Sequence, residues 1–165
     1  MSADYFFKLD GPLDSLPTER QMRIANLSGF QELVRNLGAD PRALLERHDI
    51  DPLALRDPDH YVDCKAVVDL FEHCGTSLNH PLFGLQLAQL QEPDVYGCVA
   101  ALCRAASSAR ESVVGFIDYL PVVHSPVSVM ELIEGEETAE LRWYVRADLG
   151  SNIQANYQAS MLNFN

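Results

Sequence analysis

The chain has little positive charge, a single tryptophan and no long apolar run, and each shortage removes a class of protein. Twelve Lys and Arg stand against 24 Asp and Glu, a formal net charge of −12. Affinity for nucleic acid comes largely from cations that displace counterions from phosphates, so this segment is not expected to bind DNA or RNA by itself. No stretch reaches the roughly 18 consecutive apolar residues of a membrane span. The first ten residues carry Tyr5-Phe6-Phe7 but no basic start and no apolar run of signal-peptide length, so a cytoplasmic protein without a membrane partner is expected. A glycine-rich phosphate loop, a nucleophile elbow and a His-Glu-x-x-His helix are all missing, and no cofactor is implied. Four cysteines, Cys64, Cys74, Cys98 and Cys103, fall in apolar helical settings, not at the loop positions of a disulfide scaffold, and buried free thiols are expected.

What the chain does have is punctuation. At 165 residues it has the size of one domain, which buries about 70% of its extended surface and needs no staples. Asp-Pro occurs three times within a short span, as Asp40-Pro41, Asp51-Pro52 and Asp57-Pro58. An aspartate carboxylate accepts from the free N–H groups of a first helical turn, and the following proline has its φ preset, so each pair predicts a helix or turn start. With Gly38 ending one helix and Ala43-Leu44-Leu45 defining the next, residues 37–62 read as helix, turn, short helix, turn, turn, helix, with no strand.

On either side the pattern is also readable. Residues 1–20 lack periodicity and predict an extended N-terminal arm, and residues 21–165 form the domain proper. A helix is expected from Asn26 or Ser28 to Leu37, another from a cap at Asp63 to a stop at Gly75, and a third started by Pro81. Tyr96–Ala106 and Glu111–Leu120 read as a helical pair closed by Pro121. The period then shifts to alternation, and residues 127–133 and 139–145 predict a hairpin with one apolar and one polar face around the Glu134-Gly135-Glu136-Glu137 turn. From Asn152 the spacing of Ile153, Tyr157, Ser160, Met161 and Phe164 is helical again. The expected fold class is α+β, a mostly helical domain with a small antiparallel sheet that includes a 127–146 hairpin. The stop at Asn165, inside that last helix, leads us to expect a part of a longer protein.

Chemistry-bearing residues are sparse. Cys98 and Cys103 are about 140° apart on a helix, and Cys64, His73, Cys74 and His80 match no standard zinc spacing, so no metal site is expected. The acidic run at 134–137 reads as a solvated turn. His124 sits where the helical part meets the hairpin, either to hydrogen-bond a ligand or to join the two. Trp143, mid-strand on the apolar face, is core or pocket wall, and the same choice applies to Tyr96, Phe116, Tyr119 and Met130. Arg104, Arg142 and Arg146 are available to anchor a carboxylate.

Three stretches, Leu37-Gly38-x-Asp40-Pro41-x-x-Leu44-Leu45, Ile50-Asp51-Pro52-x-x-Leu55-x-Asp57-Pro58-Asp59-x-x-Val62 and Phe83-Gly84-Leu85-x-Leu87, resemble the N-terminal effector-binding and dimerisation domain of AraC-type transcriptional regulators, in the group called arabinose-binding-domain-like. The resemblance covers most of the chain from about Asn26 onward. It implies a small-molecule effector, a homodimer, and DNA contact only through a C-terminal part with two helix-turn-helix motifs, which is absent from these residues. It also implies that the final helix contributes to dimerisation, through Ile153, Tyr157, Met161 and Phe164. One departure is Ala109-Arg110-Glu111-Ser112-Val113-Val114, where the family usually shows Thr-Leu-x-x-Ala-Leu. The mainly apolar candidates favour an amphipathic acid as effector, with an amino acid derivative as the other choice. Two further readings stay open: a small hydrolase or isomerase using His124 with a nearby acid, and a dimerisation domain without a ligand.

Overall fold

Aspartates and glycines set where the helices begin. The computed structural model describes residues 17–18, 20–145 and 148–164, with side chains for all but 93, 94 and 162–164. Most of the expected N-terminal arm, and Arg146, lie outside the described residues. After strand β1 (Gln21–Arg23) and a 3-10 turn at Ile24–Leu27, Gly29 takes φ +78° and helix α1 (Phe30–Asn36) starts behind it. The continuous helix expected from Asn26 or Ser28 is therefore split, because a left-handed residue interrupts the helical path and glycine adopts that conformation without strain. Asp40 accepts from the Arg42 N–H at 2.9 Å and starts α2 (Pro41–Arg47). Asp51 does the same for Leu53 at 2.8 Å, opening a 3-10 helix at Pro52–Arg56. Asp57 accepts from the Asp59 N–H at 3.0 Å and shapes a turn without a helix.

The stretch expected to be free of strands ends in one. Strand β2 (Tyr61–Asp63) pairs antiparallel with β1, Met22 opposite Val62. Strands of three residues are too short for a period of two to show in the sequence. Asp63 caps α3 (Cys64–Ser77) through the Ala66 N–H at 2.9 Å. The helix runs past Gly75, where a stop was expected, because this glycine serves packing: a Cβ there would press on the Gln154 side chain at 3.1 Å. Helix α4 (Phe83–Gln89) begins two residues after Pro81. A 3-10 turn at Pro93–Tyr96 and Gly97, at φ +57°, precede α5 (Cys98–Ala105). Ser108 accepts from the Glu111 N–H at 3.1 Å to start α6 (Ala109–Val123), and the Glu111 carboxylate accepts from the Ser107 N–H at 2.7 Å. Pro121 does not close α6. It stands in the last turn, where its fixed φ is helical and a single backbone bond is lost, so the helix continues to Val123. Strands β3 (Ser128–Glu134) and β4 (Ala139–Val145) form the expected hairpin, Met130 opposite Trp143, and α7 (Ile153–Phe164) follows.

Seven α-helices and two two-stranded antiparallel sheets among the described residues make this the mostly helical α+β domain expected. The main core lies between β1 and α1–α4, where the Phe83 ring stands 6.0 Å from Phe30 and 6.1 Å from Phe71, all three fully buried. Cys64 and Cys74 are in this core, and desolvation pushes their thiols up to about 11 and about 12. Cys98 is exposed and Cys103 half-buried, so the expected burial of four thiols holds for two; α5 belongs to a smaller, peripheral cluster of Tyr96, Val99, Ala100 and Val123. No helix among the described residues is long and apolar enough to cross a membrane.

Candidate functional site

The end of α6 and the hairpin bring His124 and Trp143 together over α3 and α7. His124 is 3% exposed, and its Nδ1 lies 3.0 Å from the Ser128 hydroxyl, the first residue of β3. Its other nitrogen, Nε2, has no partner. The Trp143 ring meets the imidazole edge to face, with centroids 5.4 Å apart and planes at 86°, and the buried indole Nε1 is likewise without a partner. Met130, across the hairpin from Trp143, is buried. Both unpartnered residues line a narrow cleft of about 20 Å³ whose other walls come from Val68 and Phe71 of α3 and Ala155, Asn156 and Ala159 of α7. That volume admits one water-sized group. Among the described residues that line it, none is an acid, lysine or arginine. Burial pushes the His124 pKa down to about 4, so the imidazole is neutral at physiological pH. A buried donor or acceptor without a partner costs about 1–3 kcal/mol, and two of them on residues that line one small cleft favour a hydrogen-bonding group there.

The α7 wall is fixed by two buried glutamines. The backbone N–H of Gln154 donates to the Glu72 carboxylate at 2.6 Å, its side-chain amide donates to the Pro81 carbonyl at 2.9 Å, and its side-chain oxygen accepts from the Gly84 N–H at 3.0 Å. A Cβ on Gly84 would fall inside the van der Waals shell of the Gln154 carbonyl oxygen, so the Phe83-Gly84 motif is the seat of α7. One turn on, Gln158 donates to Gln91 at 2.8 Å, and Gln91 donates at 2.9 Å to the carbonyls of Asn26 and Ser28. Sequence reasoning missed these glutamines, and the available signal was their four-residue spacing on the face of α7 away from Ile153 and Tyr157.

The remaining candidates separate. Tyr96 and Phe116 pack edge to face at 4.8 Å in the peripheral cluster, and burial pushes the Tyr96 hydroxyl pKa above its ordinary range. Tyr119 and Arg104 are exposed, and Arg142, also exposed, pairs with Glu140 at 2.7 Å. Ile153 and Tyr157 lie on the exposed side of α7 and Met161 is partly buried, while the side chain of Phe164 is outside the described residues. A wider groove of about 830 Å³ shares no lining residue with the cleft. Its Arg23 is engaged by Asp59 and the Val95 carbonyl, and no unpartnered buried polar side-chain atom lines it among the described residues, so the chemistry favours the smaller cleft. No group of three His, Cys, Asp or Glu among the described residues is arranged to hold a metal.

Residues 38–164 match the family described as the arabinose-binding domain of AraC transcription regulator, N-terminal. Over 122 residues the chain is 32% identical to the HTH-type transcriptional regulator VirS of Mycobacterium tuberculosis, in strains CDC 1551 / Oshkosh and ATCC 25618 / H37Rv alike. The aligned region is 74% of this chain and 36% of VirS, so the chain spans about a third of the length of these relatives. On this match, which includes the Asp-Pro stretch from Gly38 and the Gly84 seat of α7, the chain belongs to the family of N-terminal arabinose-binding domains of AraC transcription regulators.

Proposed function

We propose that this domain senses a small effector for an AraC-type regulator, binding it in the cleft between the hairpin and α7 and transmitting the result to a DNA-binding module elsewhere in the same cytoplasmic protein. The observation that carries the reading is the pair of unpartnered buried atoms, His124 Nε2 and Trp143 Nε1, on a cleft walled by α7. An effector shifts a regulator only by preferring one arrangement over the other, and a site shared with a docked helix supplies that preference. Ile153 and Tyr157 on the outer side of α7, continued by the spacing of Met161 and Phe164, suit a homodimer contact. The net charge of −12 leaves DNA contact to the other module, expected to carry two helix-turn-helix motifs.

Binding fits the cleft better than catalysis. A hydrolase or isomerase would pair His124 with an acid, whereas its Nδ1 is on Ser128 and the described lining residues include no Asp or Glu. A dimerisation domain without a ligand gives no role to the two polar atoms. The carboxylate anchors named from the sequence, Arg104 and Arg142, stand on exposed surfaces away from the cleft lining. The test uses the full-length regulator: metabolites that raise its thermal midpoint through linkage are assayed for promoter occupancy. An effector should change occupancy, and His124→Phe should abolish that change. Occupancy indifferent to every metabolite that binds would refute the sensing role.

A further inference from the structure

Resting on the sensing role above, the cleft walls narrow the class of effector. An indole nitrogen donates and never accepts, so an occupant must offer Trp143 an acceptor. The unpartnered His124 Nε2 is donor or acceptor according to which partner holds the proton shared between Nδ1 and Ser128. A hydroxyl oxygen satisfies both residues in either tautomer, and a carbonyl oxygen does so when Nε2 carries the proton. The polar groups nearby, on Asn152, Asn156 and Gln158, are neutral, and the rest of the lining is largely apolar. Arg142, adjacent to Trp143 in β4, projects from the opposite face and is held by Glu140. Among the described residues no cation lines the cleft, so an anion there would lose its hydration without a charged partner from them.

We propose that the cleft takes an uncharged molecule with an apolar body and a single hydroxyl or carbonyl oxygen as its polar end, bound between Trp143 and His124. The volume of about 20 Å³ admits that oxygen alone, so the body enters only as the hairpin and α7 part; occupation and separation of the hairpin from α7 are one event. A carboxylic acid enters only together with its proton, and its apparent affinity falls about tenfold for each pH unit above its own pKa.

Trp143 is the sole tryptophan, so its indole N–H gives one separate signal in a proton–nitrogen correlation spectrum of the chain. The probes are phenol and 1-hexanol, with benzoate and hexanoate as anionic counterparts of similar body, titrated at neutral pH. Phenol or 1-hexanol should move the indole signal saturably, and the anions should need about tenfold higher concentration or more, the gap closing as pH falls. Trp143→Phe, which keeps a ring and removes the donor, should weaken phenol binding about fivefold by ligand-observed NMR, with the fold intact by circular dichroism. Anions that move the signal as readily as the alcohols at every pH would overturn the uncharged class and leave the sensing cleft standing. If none of the four moves it at millimolar concentration the proposal falls, and the sensing role falls with it only if no thermal-shift ligand alters promoter occupancy.

Discussion

The part of the domain built on α1–α4 and the part built on α5, α6 and the hairpin are packed to different standards. In the first, Phe30, Phe71 and Phe83 interlock with almost no exposed surface, and α7 is seated on them by hydrogen bonds from buried glutamines. In the second, the buried cluster is Tyr96, Val99, Ala100 and Val123, while Leu102, Tyr119, Ile133 and Tyr144 stay largely exposed. Close-packed interiors resist small displacements, whereas elements with few buried apolar contacts open at low free energy. The cleft lies on the seam between the two, with α3 and α7 on one side and the hairpin on the other. The cleft is thus bounded by a close-packed body on one side and by more loosely packed elements on the other.

Truncation is the most direct way to break this comparison. Phe83→Ala should cost about 4 kcal/mol, whereas Phe116→Ala, at a partly buried position against the peripheral cluster, should cost about 1.5 kcal/mol. Urea unfolding of the two variants decides, and equal losses would refute the division.

Next in size is a pH effect at the seam. His124 has a folded-state pKa lowered from 6.5 to about 4 by burial, so the unfolded chain binds this proton more readily. Stability is full above pH 6.5 and falls as pH drops from 6.5 toward 4, by about 3 kcal/mol in all. His124→Phe should flatten that part of the profile, and an unchanged slope would remove His124 as its source.

A smaller effect sharpens the role of α7. Gln154→Ala leaves the Gly84 N–H and the Pro81 carbonyl without their partner and should cost about 2 kcal/mol. Hydrogen exchange should accelerate through α7 and not through α5; equal acceleration in both would mean that the two regions open as one. Smallest of all, Asp40→Ala removes one helix cap and should cost about 1 kcal/mol while leaving the Trp143 indole signal unmoved.

Legibility in the sequence followed the range of the interactions involved. The caps at Asp40, Asp51 and Asp63 reach N–H groups two or three residues away, and they could be read directly. The hairpin was readable because a period of two over seven residues is unambiguous. Gly75 and Pro121 misled, since each was assigned a local stopping role while one is required by contact with Gln154 and the other sits harmlessly in a last turn. His124 drew attention by lying where the helical part meets the hairpin, and Trp143 by standing mid-strand on the apolar face. Arg104, Tyr119 and Arg142 drew it by residue type alone, and type does not say which way a side chain faces. The burial of Gln154 and Gln158 depends on partners 67 to 132 residues away in sequence, a range at which periodicity carries no information.

The glycine seat beneath α7 works as a keyed joint. The Gln154 carbonyl stands where a Cβ on Gly84 would be, and its side chain lies 3.1 Å from where a Cβ on Gly75 would be. Advancing α7 by one residue would turn it by about 100° and carry both groups away from the two glycines. Helix α7 therefore has one fitted register over α3 and α4, and two glycines remote from it in the chain decide where it docks.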